Sequence, residues 1–561
     1  MGRREKKIKK TLYEIYGSER GERAFEKIAH LFSSCVQEEA EEYFSEKDVF
    51  LITYGDSLKE KDQPPLSVLS KFARMQLKGI FSSIHILPFF PYSSDDGFSV
   101  MDYYRINPEI GSWEDVGKIQ KDFRLMFDLV INHVSSQSGW FKRYLAEEKG
   151  FEQLAIECDP SLDLSLVTRP RASPLLTPFA KGSGERVHLW TTFSADQIDL
   201  NFRSIDLLEK MVDVLLFYVK QGASAIRLDA IAYLWKEIDS KCIHLPETHS
   251  MVKLLRQIIN CAKPEAIIIT ETNVPHEENI SYFGNGHDEA QMVYNFTLPP
   301  LLLHSFIVED ITLFSDWVAS LSLPSSKTTF YNFTASHDGI GIRPLEGIIS
   351  KEELKKVINH VYNNGGRVSY KRDQDGTESP YELNITYVDA LMKKDESGRD
   401  EHHVERFIAS QSIAMVLPGV PAVYIHSLLG SHNWNEGVER TGRARTINRE
   451  KLDYEQLMNE LNDPSSFRSR VFNKYIDLLK IRIEQPAFHP NASFRVLRVD
   501  PKVFSMVRET KRQRIFVLVN ISSQPVSENC ISPNLRDLIS GSVILQDKIK
   551  ILPYQIMWLS D

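Results

Sequence analysis

Short apolar, β-branched runs alternate along most of the chain with stretches whose apolar residues recur at helical spacing. The runs are VFLITY, SIHILPFF, LMFDLVIN, ASAIRLDA, AIIITETN, MVYNF, TTFYNFTAS and VPAVYI. Runs of this length, apolar on both faces, suit strands buried in a parallel sheet, and eight of them separated by helical segments predict a closed (β/α)₈ barrel of the α/β class. Up to about Lys47 the pattern is different. Leu12, Ile15, Tyr16, Phe25, Ile28, Leu31 and Phe32 fall at helical spacing, predicting a helical extension over residues 1–47 that packs on the outside of the barrel. After about Phe488, alternation in SFRVLRV, VFSMVRE, RIFVLVN, SVILQD and IKILPYQIMWL predicts a separate antiparallel β domain over residues 488–561.

Two insertions interrupt the rhythm. Residues 134–200 include the Pro- and Arg-rich TRPRASPLLTPF, and residues 339–403 carry GG, DG and SP breakers, leaving barrel segments 48–133, 201–338 and 404–487. Each insertion follows a barrel strand, so each is expected to sit over the face where barrel enzymes mount their sites.

Composition narrows the partners. A formal charge of -9 and a pI near 6.0 leave no basic footprint for nucleic acid, so the expected partners are small molecules. No segment is long and apolar enough to span a bilayer, because MVYNFTLPPLLLHSFIV is broken by Pro299 and Pro300. The basic N-terminus lacks the apolar core of a signal peptide. Cys35, Cys158, Cys242, Cys261 and Cys530 are scattered and unpaired in spacing, so they read as reduced thiols in a cytoplasmic protein. His244 and His249 do not form a zinc-binding pattern, and His402-His403 lies in a charge run that reads as solvated loop and helix start. Either a monomer or a homodimer fits the sequence.

The chemistry-bearing residues cluster where the buried strands end. Asp128, Asn132 and His133 close one strand, Arg227 and Asp229 the next, Glu271 follows IIIT, and His337 and Asp338 follow another. The strand-end rim of a barrel is where catalytic groups are normally mounted, so these residues converge on one mouth. Any one of them alone could equally be a rim salt bridge. A retaining glycosidic transfer needs a carboxylate nucleophile and a protonated carboxyl group about 5 Å apart. Asp229 is expected to stay ionised beside Arg227, two residues back on the same side of the strand. Glu271 is expected to be the acid, raised by burial and neighbouring carboxylates. Asp338 is left to bind sugar hydroxyls as the transition state forms.

The segments DLVINH, GASAIRLDA, ITETN and ASHDGI resemble the four motif regions of the α-amylase superfamily (glycoside hydrolase family 13). Within it, LITYGDSL, HILPFFPYSSDDGF, GSWEDV, YNFTLPPLLLH, LPGVPAVY and TINR resemble the sucrose phosphorylase subfamily, from about Val49 to Arg449. The resemblance implies domains A, B and B′, a C-terminal β domain, no metal or cofactor, and phosphate as co-substrate. It puts the nucleophile on Asp229, the acid/base on Glu271 and the transition-state stabiliser on Asp338. It puts the glucosyl pocket on Asp96, His133, Arg227, His337 and Arg445, with Asp96 and Arg445 as a pair closing the far end of one glucose. Phe98, Phe193 and Tyr233 match walls of that pocket and Gln197 a polar neighbour, although for each aromatic a plain core role is equally compatible.

No phosphate-cradling P-loop is present, so the arginines of TRPR are the candidates for anion binding. Arg171 matches the family's phosphate-binding loop arginine, whose guanidinium can hold phosphate or carboxylate by two parallel bonds, and Arg169 adds charge. Thr168 stands where sucrose phosphorylases typically have tyrosine. Ser379 and Glu382 stand where they carry Asp and Gln. With VTRPRASPLLTPF, ESPYELNITYVDAL and the N-terminal extension, the chain instead resembles glucosylglycerate phosphorylases. That likeness implies glucosyl transfer between D-glycerate and phosphate, with Glu382 accepting from glycerate hydroxyls. A sucrose or sucrose 6-phosphate phosphorylase is the nearest rival, a hydrolase is third, and a non-catalytic amylase-like binding scaffold is the rival from another class.

Overall fold

The computed structural model describes residues 2–32, 40–171, 173–372, 377–394, 398–529, 534–545 and 548–561. Its centre is a closed barrel of eight parallel strands, which we number β1 (Phe50–Thr53), β2 (Ser83–Ile86), β3 (Arg124–Val130), β4 (Ala223–Asp229), β5 (Ile267–Thr270), β6 (Met292–Tyr294), β7 (Thr329–Phe333) and β8 (Val420–Tyr424). Each falls on one of the eight runs singled out in the sequence, with β3 starting one residue earlier, at Arg124. Neighbours follow chain order around the ring, and β8 closes on β1. The register sets Asp128 directly across from Arg227, and Val130 across from Asp229. Ile269 is also opposite Arg227, which aligns the ends of β3, β4 and β5 at one rim.

Pro299 and Pro300 do not interrupt a helix; they lie in the first turn of Leu298–Val308, where missing N–H donors cost nothing. Among the described residues no helix is long and apolar enough to cross a membrane.

In the first insertion, His133–Ser135 pairs antiparallel with Gln197–Asp199, and Leu176–Ala180 with Arg186–Trp190. In the second, Ile340–Gly341, Arg367–Arg372 and Glu378–Asn384 form a small antiparallel sheet beside the helix Lys351–Asn363. The C-terminal part is an antiparallel six-stranded sheet with an added two-stranded ribbon. It includes Val526–Asn529 and Leu535–Asp537, short strands without an apolar run of their own.

The N-terminal extension forms helices α1 (Arg3–Tyr16) and α2 (Ser18–Ile28). They lie against the outer helices α3 (Ile205–Lys220) and α4 (Pro246–Ala262). Thr11 and Gln257 exchange hydrogen bonds at 3.0 and 3.2 Å, Tyr16 donates to the Phe202 carbonyl at 2.7 Å, and Lys27 bridges Asp206 and Glu209 at 2.9 and 3.0 Å. Ile8, Leu12 and Ile28 are buried in the main core.

Two local expectations change. His403 is buried at the start of the helix His403–Val416, its ring nitrogen 2.8 Å from the Val388 carbonyl, because its imidazole finds a backbone partner beneath the charge run. Cys158 and Cys242 are free, but Cys261 is disulfide-bonded rather than reduced. Cys35 and Cys530 lie outside the described residues.

Candidate active site

One buried guanidinium organises the barrel mouth. Arg227 donates to Asp128 and, at 2.8 Å, to Asp229 Oδ1, while its Nη2 lies 3.7 Å from Glu271 Oε2. Asp128 is fully buried and also receives the His85 Nε2–H at 2.7 Å. The cross-strand register explains the set: Asp128 and Arg227 are directly opposed, Asp229 follows on the same side of β4, and Glu271 leaves the end of β5. Ala230, just past Asp229, is forced into left-handed backbone with φ 50° and turns its N–H onto Glu271 Oε2 at 3.0 Å. Asp229 and Glu271 therefore share one charged partner across one small cavity.

The electrostatics divide these carboxyls from Asp338. Burial raises both Asp229 and Glu271, outweighing Arg227, and Asp338 pushes each further up, so that both stand at about 7. Arg227 stands where the sequence put it, but it does not keep Asp229 in the ordinary carboxylate range, because burial outweighs its charge and the Asp128 and Asp338 carboxylates add to the upward shift. The two groups titrate as a pair holding one proton near neutrality. The hydrogen bond from Arg227 favours leaving the charge on Asp229. Burial also opposes charge on Asp338, yet Arg445, His337, Arg449 and Arg227 together hold it well below the usual range. His337, buried and pushed down to about 3, stays neutral.

The walls come from loops on several strands. Phe98 stacks on His337 with centroids 4.8 Å apart, and Phe193 packs against His133 at 5.2 Å. His133 lies 2.9 Å from the Phe98 carbonyl, to which Gln197 donates at 3.4 Å. Asp95 and Asp96 both adopt left-handed backbone, with φ 54° and 48°. The following Gly97 lies so close to Pro88 that a Cβ would come within 2.5 Å of its carbonyl oxygen. This tight turn brings Asp95, rather than Asp96, to the cavity lining.

The cavity between these groups is lined by Asp229, Glu271 and Asp338, and by Phe98, His133, Phe193, Gln197, Arg227, His337, Arg171, Glu382 and Arg445. The family model for the α-amylase catalytic domain matches residues 71–337, the segment that supplies most of this lining. Glucosylglycerate phosphorylase of Escherichia coli (strain K12) is 44% identical over 557 residues, covering 99% of this chain and 99% of its own. The chain belongs to the α-amylase family. Sucrose phosphorylase of Agrobacterium vitis is more distant, at 29% identity over 81% of this chain and 90% of its own. Among solved structures, sucrose 6F-phosphate phosphorylase of Thermoanaerobacter thermosaccharolyticum superposes with a TM-score of 0.75 at 24% identity. It covers 90% of this chain and 98% of that one, and at that identity it speaks for the fold alone.

Four expected placements are corrected in this α-amylase-family site. Asp96 does not pair with Arg445. Its partner is Arg449, which donates at 2.5 Å and also donates to the His337 carbonyl at 2.7 Å. Arg445, four residues earlier on the same turn, reaches Asp338 Oδ1 at 2.5 Å and Glu382 instead. Tyr233 lies behind the wall, edge-on to Phe193 at 5.5 Å, and does not line the cavity. Arg169 turns back to donate to the Ser173 carbonyl, fixing its own loop, and Ser379 sits away from the cavity opposite Lys371.

Asp128 was expected at the mouth but without a role, and Arg449, Asp95, Asn273 and Tyr381 were not among the expected site residues. Asp128 ends a recognised strand, and Arg449 is the last residue of TINR. Their signals were present, but choosing between two arginines on one turn requires the backbone direction. Tyr381 supports Arg171, whose guanidinium lies 5.7 Å from the ring centre. Among the described residues Arg171 has no carboxylate partner. Arg227 and Arg445, the other arginines of the lining, are each held by two or more.

Proposed function

We propose that this chain is a retaining glucosyl phosphorylase that converts 2-O-(α-D-glucosyl)-D-glycerate and phosphate into α-D-glucose 1-phosphate and D-glycerate. The observation that carries the acceptor reading is the open charge of Arg171. The lining carboxylates Asp229, Glu271, Asp338 and Glu382 are already matched to Arg227 and Arg445, so an anionic acceptor needs this one cation, and both phosphate and glycerate are anions. The 44% identity to an E. coli glucosylglycerate phosphorylase over nearly the whole chain supports the same choice.

In this scheme Asp229 attacks the anomeric carbon while Glu271 gives its proton to the departing glycerate oxygen. The bond to glycerate breaks as a glucosyl ester of Asp229 forms. Phosphate then enters from the vacated side, Glu271 takes back a proton, and α-D-glucose 1-phosphate leaves with configuration retained. Asp338, kept ionised by Arg445, binds sugar hydroxyls most strongly as positive charge develops on the ring. Asp96 and Arg449 form an ion pair behind the lining, and Arg449 holds the His337 carbonyl beside the pocket. No metal or cofactor enters the scheme. Phosphate as co-substrate and the free thiols of Cys158 and Cys242 suit a cytoplasmic enzyme, whereas the Cys261 disulfide is the feature less usual there.

The test is to supply α-glucose 1-phosphate with D-glycerate, fructose, fructose 6-phosphate or glycerol and follow phosphate release. D-Glycerate is expected to give the highest kcat/KM, and a clear win for fructose or its phosphate rejects the acceptor assignment.

A further inference from the structure

Glu382 stands in the cavity lining, where the sequence suggested a contact with glycerate. Its geometry points elsewhere. The residue is 1% exposed, and both carboxylate oxygens are engaged: Oε1 accepts from Arg445 Nε at 2.9 Å and Oε2 from Arg445 Nη2 at 2.5 Å. The third nitrogen of the same guanidinium, Nη1, reaches Asp338 Oδ1 at 2.5 Å. The backbone after Asp338 runs against this pair so closely that a Cβ on Gly339 would sit 2.6 Å from Glu382 Cγ.

A two-pronged bond to a planar guanidinium fixes the direction of its remaining N–H groups. We propose that Glu382 is a positioning residue for glucosyl transfer, gripping Arg445 so that Arg445 holds Asp338 in place, and that it does not bind the acceptor. The inference rests on the glucosyl-transfer reading above, but not on the identity of the acceptor. Two further observations support it. A second carboxylate facing an anionic acceptor would repel it, and this one is instead spent on a buried arginine. Asp338 is the carboxyl of the cavity most firmly held in its charged form, and Arg445 is the foremost cation opposing its burial.

The test uses a donor that lacks glycerate. In Glu382→Gln, which loses the fork but keeps the side-chain size, kcat for hydrolysis of α-glucosyl fluoride is expected to fall about 10- to 100-fold, the scale of a misplaced reacting group. Phosphorolysis of glucosylglycerate is expected to fall by the same factor, with KM for phosphate and for D-glycerate changed less than about threefold. An unchanged rate with the fluoride, combined with a raised KM for D-glycerate, overturns the proposal. Lysine cannot form the fork, so Glu382→Gln added to Arg445→Lys is expected to cost nothing further; a multiplicative loss also overturns it. If Glu382→Gln fails to fold, Gly339→Ala pushes on the same pair from outside and is expected to reproduce the kcat loss, and a wild-type kcat there rejects the idea. A protein that hydrolyses the fluoride but ignores glucosylglycerate refutes the acceptor assignment alone, and this inference is still decided on the fluoride.

Discussion

The two halves of the cavity are built by different means. On the glucosyl side, Asp128, Arg227, Asp229 and Glu271 project from three adjacent strands in fixed register, and their charges are closed within the group. On the acceptor side, Arg171 and Tyr381 come from separate insertions, and the arginine's charge is left open above an aromatic ring. Bond-breaking needs groups held to within a fraction of an ångström, which strand register supplies. Choosing the acceptor needs only a cation presented at the right mouth, which a loop supplies, so this half can change without disturbing Asp229.

The largest expected effect lies on the rigid half. Asp229→Asn is expected to lower kcat on the order of 10⁴-fold or more, as when a nucleophile is removed, with the fold retained by circular dichroism. Residual turnover near wild type would dissolve the division into halves. On the open half, Arg171→Ala removes charged hydrogen bonds to the acceptor, so KM for phosphate and for D-glycerate is expected to rise about 10- to 100-fold. Hydrolysis of α-glucosyl fluoride by that variant is expected to stay at the wild-type rate, and a parallel loss there would show that the halves are not separable.

The smallest effect is on stability and depends on pH. Glu271 is raised by burial from 4.5 to about 7, so the native state keeps a proton that the unfolded chain has released. Its stabilising contribution is complete below about pH 4.5 and is lost as pH rises through about 7. Glutamine stays neutral and its oxygen can still accept the Ala230 N–H. Glu271→Gln is therefore expected to raise Tm by roughly 2 °C at pH 8 and to leave it unchanged at pH 4.5. Thermal melts at the two pH values check this, and equal shifts at both would mean that the carboxyl is not held neutral.

The same contrast governs what could be read from the chain. Strand ends announce themselves, because a polar residue closing a buried apolar run has few structural reasons to be there. Asp229, Glu271, His337 and Asp338 were legible for that reason, as were all eight barrel strands. Arg445 and Arg449 lie four residues apart on a single short turn, and which one meets Asp96 depends on chain direction that no periodicity encodes. Arg169 and Arg171 are two residues apart; one is spent on the Ser173 carbonyl and the other opens into the cavity. The raised state of Asp229 was hidden as well, because it depends first on how deeply the folded cavity buries the carboxyl. Small strands such as Leu535–Asp537 escaped because pairing, not composition, makes them strands.

The helical pair at the start of the chain grips α3 and α4, the two helices that flank β4 and precede β5. These strands deliver Asp229 and Glu271, the proposed nucleophile and proton donor. A brace on the far wall of the barrel thus bears on the same two spokes whose tips must stay aligned, tying the register of the reacting pair to a segment that never approaches the sugar.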